Sequence, residues 1–155
     1  MSDSTVKQQL QSALTSAMKA RDEVALSALR QALSAISVAE TAGAVQAELS
    51  LDQTLAVLAV EVRKHHESAD AFVTAGRSER VERERAEAAV LEAYLPAALS
   101  DDDLQAIIAE EVATSAAAGN EGMKAMGKVV AAVRAKAGPA ADGAKIAALV
   151  KVALS

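Results

Sequence analysis

The chain has 155 residues, 52% of them hydrophobic but only 1% aromatic, with 39 alanines and no cysteine. Alanine loses no side-chain entropy in a helix and gives a pleated sheet little to pack, so the composition predicts an all-α protein and excludes an all-β one. The missing cysteines exclude a disulfide scaffold and thiolate metal sites.

No apolar run approaches the roughly 18 residues of a membrane span, and the N-terminus lacks a basic segment leading into an apolar one; the expectation is a soluble, cytoplasmic protein. The net charge of -5 is unevenly spread. Residues 1–60 and 61–100 each carry -2, and residues 101–122 carry six acids and no base. Residues 123–155 then carry Lys124, Lys128, Arg134, Lys136, Lys145 and Lys151 against Asp142 alone. Attraction to a polyanion depends on the field within about 8 Å, not on whole-chain charge. The basic end is therefore a candidate anion-binding surface, unless the acidic stretch folds beside it and cancels it.

Val6, Leu10, Leu14 and Met18 predict one face of a first helix, with Asp3 or Ser4 as its N-cap. Asp22 caps a second, whose inner stripe is Leu26, Leu29, Leu33 and Ile36, before a break at Ala42-Gly43-Ala44. Ser50 and Gln53 form a capping box for a third, in which Leu51, Leu55, Leu58, Val62, Ala69, Phe72 and Val73 face inward until Gly76. A fourth begins near Ser78. Its first turns, Glu79 to Arg85, are charged nearly all round, and Pro96 is expected to end it at Leu95. The acids of Glu79 to Glu87 interleave with arginines at helical spacing, which reads as a solvated ion-pair helix.

Residues 97–100 read as a linker, because Ser100 and three aspartates make a fresh helix start. Leu104, Ile107, Ile108 and Val112 mark the fifth helix, closed by Gly119-Asn120. Met123, Met126, Val129, Val130 and Val133 mark the sixth, closed by Gly138-Pro139, and Asp142 caps a seventh with Ile146, Leu149, Val150 and Leu154. The expected organisation is an N-terminal four-helix domain over 1–96, the linker 97–100 and a small three-helix domain over 101–155.

Phe72-Val73-Thr74-Ala75-Gly76-Arg77, then Glu87, then Leu91-Glu92-Ala93-Tyr94-Leu95-Pro96-Ala97-Ala98-Leu99-Ser100 resemble the segment joining the two parts of GatB/YqeY proteins. Ala17-Met18-Lys19-Ala20-Arg21-Asp22, Met126-Gly127-Lys128-Val129-Val130 and Ala141-Asp142-Gly143 agree in order and spacing. Gly138-Pro139-Ala140-Ala141-Asp142-Gly143 lacks the arginine usual in the family's turn. His65-His66 also stand where relatives often carry bases. The resemblance implies an all-helical, two-part protein similar to the C-terminal region of the GatB component of the tRNA-dependent amidotransferase, where the helical and tail domains contact tRNA. By that resemblance the partners are tRNA and the amidotransferase subunits or an aminoacyl-tRNA synthetase. The family's association with glutamine-dependent carbon-nitrogen ligases supplies a rival reading, and a protein-interaction module without RNA a second.

The chemistry legible in the residues is sparse. Gly122 to Lys128 has the spacing of a phosphate-binding P-loop, but Val129 replaces the hydroxyl residue and no strand precedes it. At about 100° per residue, Lys124 and Lys128 lie opposite the apolar side of the sixth helix, with Gly127, Ala131 and Ala135 beside them. A phosphate backbone can approach so uncluttered a surface closely, and Arg134, Lys136, Lys145 and Lys151 extend the field. All six are the candidate RNA-binding residues. His65 and His66 point about 100° apart on one helix and cannot share a metal, so they are expected to pair with Glu61 or Asp70. No catalytic residue, metal or cofactor is expected. Tyr94, Leu95 and Pro96 mark the domain junction, the tyrosine hydroxyl closing a helix end.

Overall fold

The computed structural model describes residues 4–97, 99–138 and 141–155, and these contain seven α-helices and no strand. The helices are α1 Val6–Ala20, α2 Glu23–Glu40, α3 Leu51–Thr74, α4 Ser78–Glu92, α5 Asp101–Ala117, α6 Met126–Ala137 and α7 Gly143–Leu154. A 3-10 turn, Gly122–Ala125, leads into α6. No described helix is long and apolar enough to cross a membrane.

Capping defines most of the boundaries. The Thr5 hydroxyl accepts from the Gln8 amide at 3.2 Å and the Gln8 side chain answers the Thr5 N–H at 2.9 Å, a capping box that replaces the expected Ser4. The other expected cap, Asp3, lies outside the described residues, as do Ala98 of the linker and Pro139. Asp22 caps α2, Ser50 with Gln53 caps α3, Ser100 caps α5 and Asp142 caps α7. Helix α3 closes on Gly76 at φ 70, with the Gly76 and Arg77 amides reaching back to Val73 and Phe72, a left-handed closure that glycine adopts without penalty.

Helix α1 closes in the same way on a residue that is not glycine. Arg21 sits at φ 55, and the chain returns bonds to Ala17 and Met18. A side chain there costs about 1 kcal/mol or more, partly offset by the greater freedom glycine gives the unfolded chain. Arg21→Gly is therefore expected to stabilise the protein by about 0.5 kcal/mol. A denaturant midpoint that falls in this variant would contradict the assignment.

Helix α4 stops at Glu92, three residues before the expected Leu95. The Tyr94 and Leu95 amides bond instead to Leu91 and Glu92, because the residue before Pro96 is pushed out of the α region and the last turn tightens.

The chain divides into two compact units, Met1–Pro96 and Ala97–Ser155. In the first, one core gathers Leu10, Leu29, Ile36, Leu55, Leu58, Val62 and Leu91, with Ala17, Ala28, Ala32 and Ala88 between them. In the second, Leu104, Ile108, Val129, Val133, Ile146 and Val150 surround Ala125.

Several expected inward positions point out. Met18 is 55% exposed and Ala17 is buried in its place. Strict fourth-residue spacing gains about 40° per step on a helix of about 3.6 residues per turn, so a stripe begun at Val6 has left the buried face by Met18. Leu51 and Val73, at the two ends of α3, are exposed, as is Met123 within the 3-10 turn. There the tighter winding turns Ala125 inward.

Candidate functional site

The surface carrying the six candidate cations belongs to the 3-10 turn, α6 and α7. Ala125, Val129 and Val133 face the core of the second unit. Lys124, Gly127, Lys128, Ala131, Arg134 and Ala135 are exposed on the other side. The segment with P-loop spacing is a 3-10 turn entering a helix, and it follows α5 and not a strand.

The acidic helix reaches part of this charge. Lys136 lies 2.7 Å from Glu111 and 3.1 Å from Glu110, and Lys145 is bonded to Asp101. The Glu111 and then the Glu110 carboxylates hold the Lys136 ammonium above its ordinary value, so it stays charged while its charge is locally neutralised. Lys124, Lys128, Arg134 and Lys151 make no salt bridge among the described residues. Arg134 nonetheless lies over the start of α7, since a Cβ built on Gly143 would come within 3.3 Å of its Nη2. Lys124 and Lys128, one turn apart and flanked by Gly127 and Ala131, form the least obstructed pair.

At the junction, Tyr94 and Leu95 are partly buried and pack against the core of the first unit. The tyrosine hydroxyl makes no hydrogen bond among the described residues, so the expected closure of a helix end by that group is replaced by backbone bonds.

A second polar constellation appears in the first unit, across α3 and α4 and not along α3 as the spacing of the histidines suggested. His65 is 4% exposed. Its Nδ1 lies 2.7 Å from Glu84 Oε2 and 3.6 Å from Glu87 Oε2, both on α4. His66 Nε2 lies 2.6 Å from Glu92. Both histidines therefore bridge to the neighbouring helix, and Glu61 pairs with Lys64 at 2.9 Å instead. The inward stripe of α3 runs 55, 58, 62, 65, 69 at three-four spacing and passes through His65, while α4 presents Glu84 and Glu87 toward that side. Glu87 is 3% exposed and takes a bond from Arg83 Nε at 3.0 Å, so α4 is not a wholly solvated ion-pair helix.

Glu84 and Glu87 form part of the wall of a cleft of about 600 Å³, together with Ser27, Gln31, Phe72, Glu79, Arg80 and Arg83. The Arg80 guanidinium stands 5.3 Å from the centre of the Phe72 ring.

A comparison with curated proteins finds no match. The family model described as Yqey-like protein matches residues 7–154, nearly the whole length, and the chain belongs to that family.

Proposed function

We propose that the chain is an accessory RNA-binding protein of the cytoplasm that contacts the backbone of folded tRNA through its second unit. Its expected protein partners are the amidotransferase subunits or an aminoacyl-tRNA synthetase, following the similarity to the C-terminal region of the GatB component. The same proposal treats residues 1–96 and 101–155 as a four-helix and a three-helix domain joined at 97–100.

The observation that carries it is the exposed Lys124–Lys128 pair, free of salt bridges among the described residues, on a strip of glycine and alanine. Lys151 and Arg134 supplement that pair, while Lys136 and Lys145 contribute less because acids already hold them. With Phe72 and Tyr94 the chain's two aromatics, and both in the first unit, the second unit offers no stacking platform for bases. Contact is therefore to phosphates and shape.

Neutralising three or four phosphates gives a log-log salt slope of about -2 to -4, which is a loss of roughly 15- to 150-fold in tRNA affinity between about 50 and 200 mM salt. An affinity indifferent to salt would rule out phosphate contact. Lys124→Glu with Lys128→Glu is expected to abolish retention of tRNA on a filter while leaving the helical content unchanged; undiminished retention would remove the pair from the interface.

A second reading, a protein-docking module without RNA, is favoured by one observation. Between α2 and α3 lies an open groove floored by Ala35, Val38, Ala39, Val57 and Val60, with Val38 66% exposed. On that reading the lysine reversal leaves capture of the amidotransferase subunits intact and Val38→Glu abolishes it. The ligase reading is tested by incubating the purified chain with misacylated tRNA, ATP and glutamine: amide formed without other subunits would replace the accessory role.

A further inference from the structure

We propose that His65, Glu84 and Glu87 hold a divalent transition-metal ion, zinc by the chemistry of the donors, beside the cleft between α2, α3 and α4. This site is independent of the RNA reading, which concerns the other unit.

Two observations support it. One imidazole nitrogen and two carboxylate oxygens lie within 4.8 Å of one another. Zinc bonds of about 2.0–2.2 Å to such donors place tetrahedral ligands about 3.3–3.5 Å apart. The present 3.6 Å from Nδ1 to Glu87 comes within about 0.1 Å of that spacing, and the 2.7 Å to Glu84 opens to it by a small side-chain rotation. The donors sit on two helices packed side by side, with Glu84 and Glu87 at i,i+3, so the backbone fixes their separation.

The second observation is electrostatic. Two carboxylates face one imidazole, and Arg83, itself half exposed, is bonded to Glu87 alone. Arg80 is placed against Phe72 and Lys64 against Glu61. The two carboxylates together match the charge of a divalent cation, and half-exposed Arg83 can turn to solvent when an ion takes its place beside the almost wholly buried Glu87.

The imidazole itself sets how tightly the ion is held. His65 directs Nδ1 between the carboxylates, while its Nε2 is buried without a hydrogen-bond partner. Metal ligation through Nδ1 puts the proton on Nε2, and leaving that N–H unpaired costs about 1–3 kcal/mol. The missing outer partner predicts a weaker site than one whose histidine is held by a second acceptor. Three protein donors leave a fourth position for water, on the side where the carboxylates line the cleft.

The test is calorimetric titration of the chelator-treated full chain with Zn²⁺, together with Co²⁺ substitution read by visible absorption. One ion per chain is expected, with a Co²⁺ spectrum of low coordination number. Glu84→Gln keeps the shape of a partly exposed side chain and should weaken binding at least about tenfold at unchanged helicity. His66→Ala, which alters the adjacent half-exposed histidine, should bind as the unaltered chain does. Failure to bind Zn²⁺ at millimolar concentration, binding undiminished in Glu84→Gln, or binding lost in His66→Ala would each overturn the proposal.

Discussion

Ile146→Ala is expected to cost about 2–5 kcal/mol and to unfold the second unit at physiological temperature. The reason is size. At about 0.05–0.15 kcal/mol per residue, a unit spanning Ala97–Ser155 has roughly 3–9 kcal/mol to lose. Its core consists of Leu104, Ile108, Ala125, Val129, Val133, Ile146 and Val150, and Ile146 is fully buried. Four of its six companions in that core, Ala125, Val129, Val133 and Val150, have short side chains that cannot swing into the space left behind. Amide exchange should rise throughout α5, α6 and α7 while the centre of α3, which belongs to the other core, keeps its protection. Equal loss of protection in α3 would show that the two cores unfold as one. On the RNA reading, the same variant loses tRNA affinity as completely as the Lys124 and Lys128 reversal, but with loss of helix signal.

How far the fold is legible in the sequence depends on what kind of signal each part leaves. The seven described helices leave local ones: Asp22, Ser50, Ser100 and Asp142 each cap a helix as their position in the chain suggests, and Gly76, Gly119 and Gly138 close or follow one at positive φ. Family membership is legible for the same reason, since the resemblance rests on short runs of residues such as Tyr94-Leu95-Pro96, and the family model matches residues 7–154. Side-chain partnerships across helices leave no such trace. Spacing alone pairs His65 with acids four or five residues away on its own helix, whereas its partners lie on α4, at Glu84 and Glu87. The one clue is that the stripe from Leu55 to Ala69 requires an inward residue at 65. A polar side chain at that position must have a buried partner, and sequence spacing cannot say which. The pairing of Lys136 and Lys145 with α5 is of the same kind, because net charge by segment says that acids and bases coexist but not which ones meet.

The largest loss in the first unit is expected for Leu58→Ala, about 2–5 kcal/mol, and the reason lies in the composition. Leu58 is fully buried among Leu10, Leu29, Ile36 and Leu55, with Ala28, Ala32 and Ala88 equally inaccessible beside them. Alanine acts here as a spacer that lets helix axes approach, so each large side chain fills a space that its small neighbours cannot reach. Neither aromatic side chain is in the buried core to relax into the gap, since Phe72 and Tyr94 are only partly buried. The complementary change, Ala32→Leu, forces three extra carbons into a position with no exposed surface and should cost about 1–3 kcal/mol by pushing α2 off its neighbours. Urea unfolding followed by helix signal checks both. The two variants should lower the midpoint without changing the slope, because the surface exposed on unfolding is nearly the same. A core of interchangeable aliphatic residues would instead tolerate Ala32→Leu, and an unchanged midpoint for that variant would show that the alanines do not set the spacing of the helices.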